Sequence, residues 1–187
     1  MHLLRLSQIK LKIMKSKFSL FLATVLILGL GACTKSSNSS TPDNNPNITI
    51  SGKSTDLLGV SKAFYQSPLN NDSIIIVNSS ATSSSFLAQL SNLSGIPSSI
   101  NYLALGIYTN NTISQTTYSR GGSTAIVANL QVNGQHYGAV SILPCTVTID
   151  TLNTIFVSGS YSITAVNLTN ALDFSNPTLT GRFRAVF

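Results

Sequence analysis

Glutamate and tryptophan are absent from this chain, and charged residues make up only 9% of its 187 positions. Each scarcity removes a class of chemistry. Without glutamate, the paired carboxylates of a glycosidase would have to come from Asp56, Asp72, Asp150 or Asp173, each isolated in sequence. His136 is the only histidine beyond His2, so a histidine-based metal site lacks partners. A Ser-His-Asp triad drawn from His136, Asp150 and a serine has no nucleophile-elbow pattern to support it. Gly121-Gly122 after Arg120 reads as a loop before a strand rather than a phosphate cradle. The composition therefore argues against an enzyme and indicates no cofactor and no metal.

Long apolar runs are also missing. The longest, from Phe18 to Leu30, covers about 13 residues, whereas a span needs roughly 20 to cross the hydrocarbon core. Ahead of it lie Arg5, Lys10, Lys12, Lys15 and Lys17 with no acid between them, the basic flank of a cleaved secretory signal. Met14 offers an alternative start that leaves a compact signal by itself. The run closes on Leu30-Gly31-Ala32-Cys33, which resembles a lipobox. That resemblance implies cleavage before Cys33, diacylation of its sulfur and acylation of its new amino terminus. Several acyl chains together give a stable anchor, where one holds only marginally.

Removal of residues 1–32 would also remove the basicity. The whole chain stands at +6, but the part from Cys33 onward has six Lys and Arg against five Asp, a net of +1. No cation cluster is left to track a phosphate backbone, which excludes nucleic acid as a partner. Residues 34–47 read TKSSNSSTPDNNPN, with no aliphatic or aromatic side chain to offset ordering entropy. Residues 33–47 are thus expected to form a lipidated, disordered tether spanning roughly 20 Å as a coil. The remaining residues, 48–187, suffice for one domain with a proper core.

That domain carries a period of two. Ile155, Val157, Gly159, Tyr161, Ile163 and Ala165 alternate with Ser158, Ser160, Ser162 and Thr164, the mark of a half-buried strand. The last segment repeats it, with Leu179, Gly181, Phe183, Ala185 and Phe187 opposed by Thr180, Arg182 and Arg184. Asn133-Gly134 predicts a type I′ hairpin joining 123–132 to 135–141, with Val132 opposite Gln135, Leu130 opposite Tyr137, and His136 beside Gln131 on an outward face. A second hairpin is expected between 145–149 and 155–166, with Ile149 opposite Ile155, Val147 opposite Val157, and residues 150–154 as the loop. Further strands are expected at 48–53, 73–78 and 101–109, the last two apolar on both faces. Between 85 and 93 a helix competes, with Ser83 or Ser84 as its cap and Gly95 as its stop. Short strands, frequent turns and few helices predict an all-β fold, a single antiparallel β-sandwich domain.

The strand Val157-Ser158-Gly159-Ser160-Tyr161-Ser162-Ile163-Thr164-Ala165-Val166-Asn167 and the closing Thr180-Gly181-Arg182-Phe183 resemble the C-terminal half of an uncharacterised family of Bacteroidota lipoproteins with a β-sandwich domain of unknown function. The match extends over residues 108–187, and the segment 79–99 departs from it. The resemblance implies a lipid-anchored protein of the outer membrane and transfers no catalytic residue. Surface-export signals of such lipoproteins place acids close behind the cysteine, whereas here the nearest is Asp43, so surface and periplasmic faces both stay open.

A few residues remain as functional candidates. Cys145, beside Pro144 on the face of Val147 and Ile149, reads as a buried thiol, because acylation of Cys33 would leave it no disulfide partner. Tyr108, Tyr118 and Arg120 are candidate ligand-binding residues, with Phe64, Tyr65 and Tyr102 as further rings and Asn70, Asn71, Asn110 and Asn111 as polar partners for a glycan. Asp72-Ser73-Ile74 and Asp150-Thr151-Leu152 resemble the Asp-Ser/Thr-apolar acceptor of Bacteroidota O-glycosylation, making Ser73 and Thr151 candidates, the second exposed by its hairpin loop. The function expected is a membrane-anchored, non-catalytic binding or accessory module of the cell envelope, partnered by a glycan or another envelope protein. A structural surface protein, or a glycan-acting hydrolase, is the alternative.

Overall fold

The computed structural model describes residues 45–67, 70–90, 96–170, 173 and 175–187. The signal, Cys33, most of the tether and Gly95 lie outside the described residues. The sheet belongs to a unit of Ser39–Ser83 and Pro97–Phe187, and Ser84–Ile96 belongs to a second unit.

Twelve strands and one helix are described. In chain order they are β1 (Asn47–Ile50), β2 (Lys53–Asp56), β3 (Ser61–Tyr65), β4 (Ser73–Ser79), α1 (Ser85–Gln89), β5 (Tyr102–Tyr108), β6 (Thr117–Ser119), β7 (Ala125–Val132), β8 (Gln135–Gly138), β9 (Cys145–Leu152), β10 (Phe156–Thr164), β11 (Val166–Asn167) and β12 (Thr178–Val186). The chain is all-β. The strands hydrogen-bond into one open sheet in the order β11-β8-β7-β5-β4-β3-β12-β10-β9-β6, with β1 on β12 and β2 on β1. The ladders therefore draw one continuous sheet. Every described pairing is antiparallel except the one between β12 and β3, which rests on Val186 opposite Lys62.

The period of two decides what is buried. On β10 and β12, Val157, Ile163, Leu179 and Ala185 are fully buried while Arg182 and Arg184 between them stay partly exposed. Together with Ile74, Leu105 and Leu130 from the other wing they form one contiguous core. Each fully buried Leu or Ile contributes about 1.5–3 kcal/mol, and a one-residue slip would turn a strand's whole apolar set outward, so this pattern fixes the register. β4 and β5 are buried on both faces, as their continuous apolar runs predict.

The Asn133-Gly134 hairpin forms with the expected register: Val132 faces Gln135, Leu130 faces Tyr137 and Gln131 faces His136. Both turn residues have positive φ, 50° and 77°, as a type I′ turn demands. Its second face is not outward, however. Gln131 is fully buried and Asn129 5% exposed, and His136 meets the ring of Tyr102 edge-on at 6.3 Å. Polar side chains misrepresented that face because they are bonded to protein: Asn129 accepts from the Tyr102 hydroxyl at 2.7 Å, and Gln131 donates to the carbonyls of Pro97 and Ile100.

Two other expectations change. Residues 48–53 are not one strand; the chain reverses at Ser51-Gly52, both at positive φ, and β2 returns along β1. Ser-Gly is itself a turn signal, and it interrupts the apolar alternation of the strand expected at 48–53. Asn47, assigned to the tether, already pairs with Asp56 in this hairpin.

The β9–β10 hairpin forms in another register, with Ile149 opposite Gly159 and Val147 opposite Tyr161. A shift of an even number of residues keeps the same face inward, so alternation could not exclude it. The turn is closed by Asn153, whose side-chain oxygen accepts from the backbone of Ile155 and Phe156. Consequently Ile155 is 69% exposed, and residues 150–152 are strand, not loop. The ladder slips between Ser158 and Gly159, leaving Asp150 as the extra residue of a bulge. Gly159 is required there: a Cβ would lie 1.9 Å from the Thr148 carbonyl oxygen.

In its own unit, α1 makes Ser85–Gln89 a short helix with Phe86 and Leu87 buried, and residues 91–93 of the expected segment lie outside the described residues. Ser84 occupies the cap position but has helical angles and makes no side-chain capping bond.

Candidate functional site

Most of the sequence candidates are taken up by the fold. Arg120, after β6, forks onto backbone carbonyls, donating to Ile126, to Val140 and, at 3.0 Å, to Leu143. It ties two loops to β7 rather than facing a ligand. Tyr118 is 8% exposed and belongs to the core; its hydroxyl accepts from the Ser114 amide at 2.8 Å and donates to the Ser114 carbonyl. Tyr102 is fully buried on Asn129, and Tyr65 stacks on Phe187 with ring centres 5.0 Å apart.

The titratable groups are equally dispersed. Cys145 is buried opposite Ile163, and burial pushes its thiol up to about 11 against a smaller lowering by Arg120. Burial also lowers His136 from its ordinary value. Asp150 pairs with Arg182 at 3.4 Å, both half-exposed, a geometry worth little in water. Asp173 is held below the usual carboxylate range by hydrogen bonds from Ser175 and then Asn167. Among the described residues no three of His, Cys, Asp or Glu gather where a metal ion could sit.

The two glycosylation candidates fare differently from expectation. Thr151 lies within β9 opposite Ser158, on the ladder instead of the loop, and is half-buried. Ser73 is 5% exposed, with its hydroxyl 3.3 Å from the Asp72 carboxylate to which it donates. A buried hydroxyl already engaged is a poor acceptor for a transferase.

Tyr108, unlike Tyr118 and Arg120, lines a cleft. It ends β5 directly opposite Ser73 at the start of β4, and there Gln66, Ser67, Asp72, Ser73, Tyr108 and Thr109 line an open cleft of about 340 Å³. Backbone bonds fix its rim. The Gln66 amide donates to Ser73, the amides of Asn70 and Asn71 to Ser67, the Thr109 amide to Asp72 at 2.9 Å, and the Ile113 amide to Asn71 at 2.7 Å. Asn71 itself turns the chain at φ 50°. Burial raises the Tyr108 hydroxyl well above its ordinary value, so it stays protonated at any physiological pH. Among the described residues the lining has one carboxylate and no cation, with the carboxamide of Gln66 and several hydroxyls around it.

Gln66, Ser67 and Thr109 were not singled out from sequence. The polar stretches 66–72 and 109–111 flank the expected strands 73–78 and 101–109, but sequence does not show that these strands pair and bring those ends together. A smaller groove of about 170 Å³ is lined by Pro46, Leu57, Leu58, Gly59, Ser61, Arg184 and Val186. Comparison with protein-family models, curated proteins and solved structures returns no match.

Proposed function

We propose that this chain is a lipid-anchored protein of the cell envelope, of the kind its C-terminal strands resemble, and acts there as a non-catalytic binding module through the cleft of Tyr108. The observation that carries the reading is the cleft's lining: polar side chains converge there, while Arg120, Tyr118, Cys145 and His136 are bound up in packing elsewhere. Cys33 supplies the address and residues 34–45, ahead of Pro46 and β1, the reach. The binding class is favoured over hydrolysis because, among the described residues, only Asp72 brings a carboxylate to the cleft, and glycoside cleavage needs two.

Two measurements test this. Intact-mass spectrometry of the native protein should show the loss of residues 1–32 and a lipid-sized addition that the Cys33→Ala variant lacks. In-cell crosslinking followed by mass spectrometry should capture a partner with the anchored chain. Capture of nothing beyond that seen with the Cys33→Ala control would instead leave a structural surface protein as the reading.

A further inference from the structure

The described residues expose four large apolar side chains, Leu58, Ile142, Ile155 and Leu168, and two of them belong to one surface. Leu58, 64% exposed, lines the 170 Å³ groove with Pro46, Leu57 and Val186. Val186 stands opposite Phe156 on the β10–β12 ladder, and the Phe187 amide donates to the carbonyl of Ile155, which is 69% exposed. An apolar strip therefore runs from Leu58 across the seam of β3 and β12 to Ile155. Single exposed apolar residues need no cover, but a contiguous strip with polar neighbours marks a surface that something meets.

Its size excludes most occupants. The groove falls below the roughly 300–1,000 Å³ of a small-molecule pocket, and a stable protein interface, with a second copy of this chain included, uses about 20–30 residues a side. A bilayer requires neither an enclosing pocket nor a complementary shape. It takes apolar side chains at the boundary of headgroups and acyl chains, with long cations reaching the phosphates beside them. Both cations are at hand: Arg184 lines the groove and lies over the Phe156 ring at 4.5 Å, and Lys62 is the residue opposite Val186. The one ion pair among the described residues joins Arg182 to Asp150 and engages neither. Asp56, next to Leu57, opposes them and leaves one net positive charge, so apolar contact is the larger attraction and phosphate the smaller.

The course of the chain favours the same occupant. Pro46, in the wall of the groove, follows directly on Asn45, where the described residues begin, so the groove is where the polypeptide arrives from Cys33. A coil as long as residues 34–45 spans roughly 20 Å, and a short flexible linker sets an effective concentration on the order of millimolar. A contact too weak to hold a soluble partner is populated under that constraint.

We propose that the strip from Leu58 to Ile155 rests on the bilayer that holds Cys33, with both side chains at the boundary of headgroups and acyl chains and with Arg184 and Lys62 at the level of the phosphates. This rests on the lipid-anchor reading and adds the face that the domain turns to the membrane.

The absence of tryptophan makes a direct test, because an introduced indole is the only one in the chain. The lipidated protein is reconstituted as Leu58→Trp, Ile155→Trp or Ile142→Trp in vesicles of phosphatidylethanolamine and phosphatidylglycerol, with and without a brominated phosphatidylcholine. Ile142 is the control, since it precedes Pro144, whose carbonyl accepts from the Thr164 amide at the far end of β10, about 26 Å along the strand from Phe156. Emission from positions 58 and 155 should shift to the blue and fall about twofold with the brominated lipid, and position 142 should stay unquenched. Adding Leu58→Asp to the Ile155→Trp chain should remove at least half of the quenching. Unchanged circular dichroism at these exposed positions ties the signal to the folded domain. Equal quenching at all three positions, or none at 58 or 155 in chains that float with the vesicles, would overturn the docking face and leave the anchor standing. Chains that fail to float would overturn both.

Discussion

Asn78 is where the two wings of the sheet are most easily separated. The ladder between β12 and β3 is a single pair, Val186 with Lys62, and the carbonyl of Arg184 is satisfied by side chains instead. Asn78 Nδ2 donates to it at 2.6 Å and to Ser61 Oγ at 3.0 Å, while the Ser61 hydroxyl donates to the same carbonyl. Asn78→Asp keeps the shape and replaces the amino group by an oxygen. When protonated, the new carboxyl can offer one O–H where two N–H donors stood, at a cost of about 1–3 kcal/mol. When ionised it places a buried charge against a carbonyl oxygen, so the folded-state pKa must rise above the unfolded value of about 4. The folded state then binds the extra proton, and stability falls as pH rises, by about 1.4 kcal/mol per unit from pH 4 up to the folded-state pKa. At pH 6 the total loss is on the order of 4–6 kcal/mol, against the roughly 5–15 kcal/mol that holds a typical domain together. Urea denaturation followed by circular dichroism at pH 4, 5, 6 and 7 reads this as the difference between variant and wild type, which cancels groups common to both. Asn78→Ala, which removes the same donors without adding a titrating group, should lose a constant amount. Parallel pH profiles for Asn78→Asp and wild type would refute the assignment of Asn78 as a buried donor at this seam.

Arg120→Lys should cost about 2–3 kcal/mol in urea denaturation, since an ammonium cannot reproduce the guanidinium fork onto the Ile126, Val140 and Leu143 carbonyls; equal stability would mean the fork is ornamental. Tyr161→Phe removes a hydroxyl that donates to the Asn47 carbonyl at 2.9 Å and should cost about 1–2 kcal/mol by the same measurement, with β1 exchanging amide hydrogens faster. Gly159→Ala should exceed both, about 3 kcal/mol or more, because its methyl meets backbone at Thr148 and no side-chain rotation relieves it. Cys145, with its thiol pushed up to about 11, should resist iodoacetamide at pH 8 in the folded chain and react once urea exposes it, read by mass spectrometry.

The strands were legible where one residue pair carried both the turn and the face. Asn133-Gly134 specifies positive φ at two positions, and that alone sets Leu130 against Tyr137. Between β9 and β10 no such dipeptide exists, and alternation constrains only parity, so a register four residues away from the expected one satisfies it equally well. The deciding contacts are local but cryptic: an Asn153 side chain that gathers two amides, and a glycine at the bulge that lets Thr148 approach. His136 was misplaced for a related reason. Polarity marks a face as outward only if its polar groups have no partners within the protein, and sequence does not reveal that Gln131 reaches Pro97 and Ile100.

The same rule explains why residue type was a poor guide to the cleft. A chain with no tryptophan and little charge must build its internal polar contacts from tyrosine, asparagine and arginine, the residues that otherwise advertise a binding surface. Tyr102, Tyr118, Tyr161 and Arg120 are spent on backbone and side-chain acceptors inside the fold. A more informative sign is a side chain that the fold leaves unsatisfied. Gln66 carries no aromatic ring, charge or motif, yet its carbonyl oxygen is buried without a donor beside Tyr108 and Asp72. In urea denaturation Gln66→Leu should match or exceed wild-type stability, because it removes an unsatisfied polar group at little change in volume. A clear loss of stability in Gln66→Leu would instead mean that this oxygen has a partner within the folded chain.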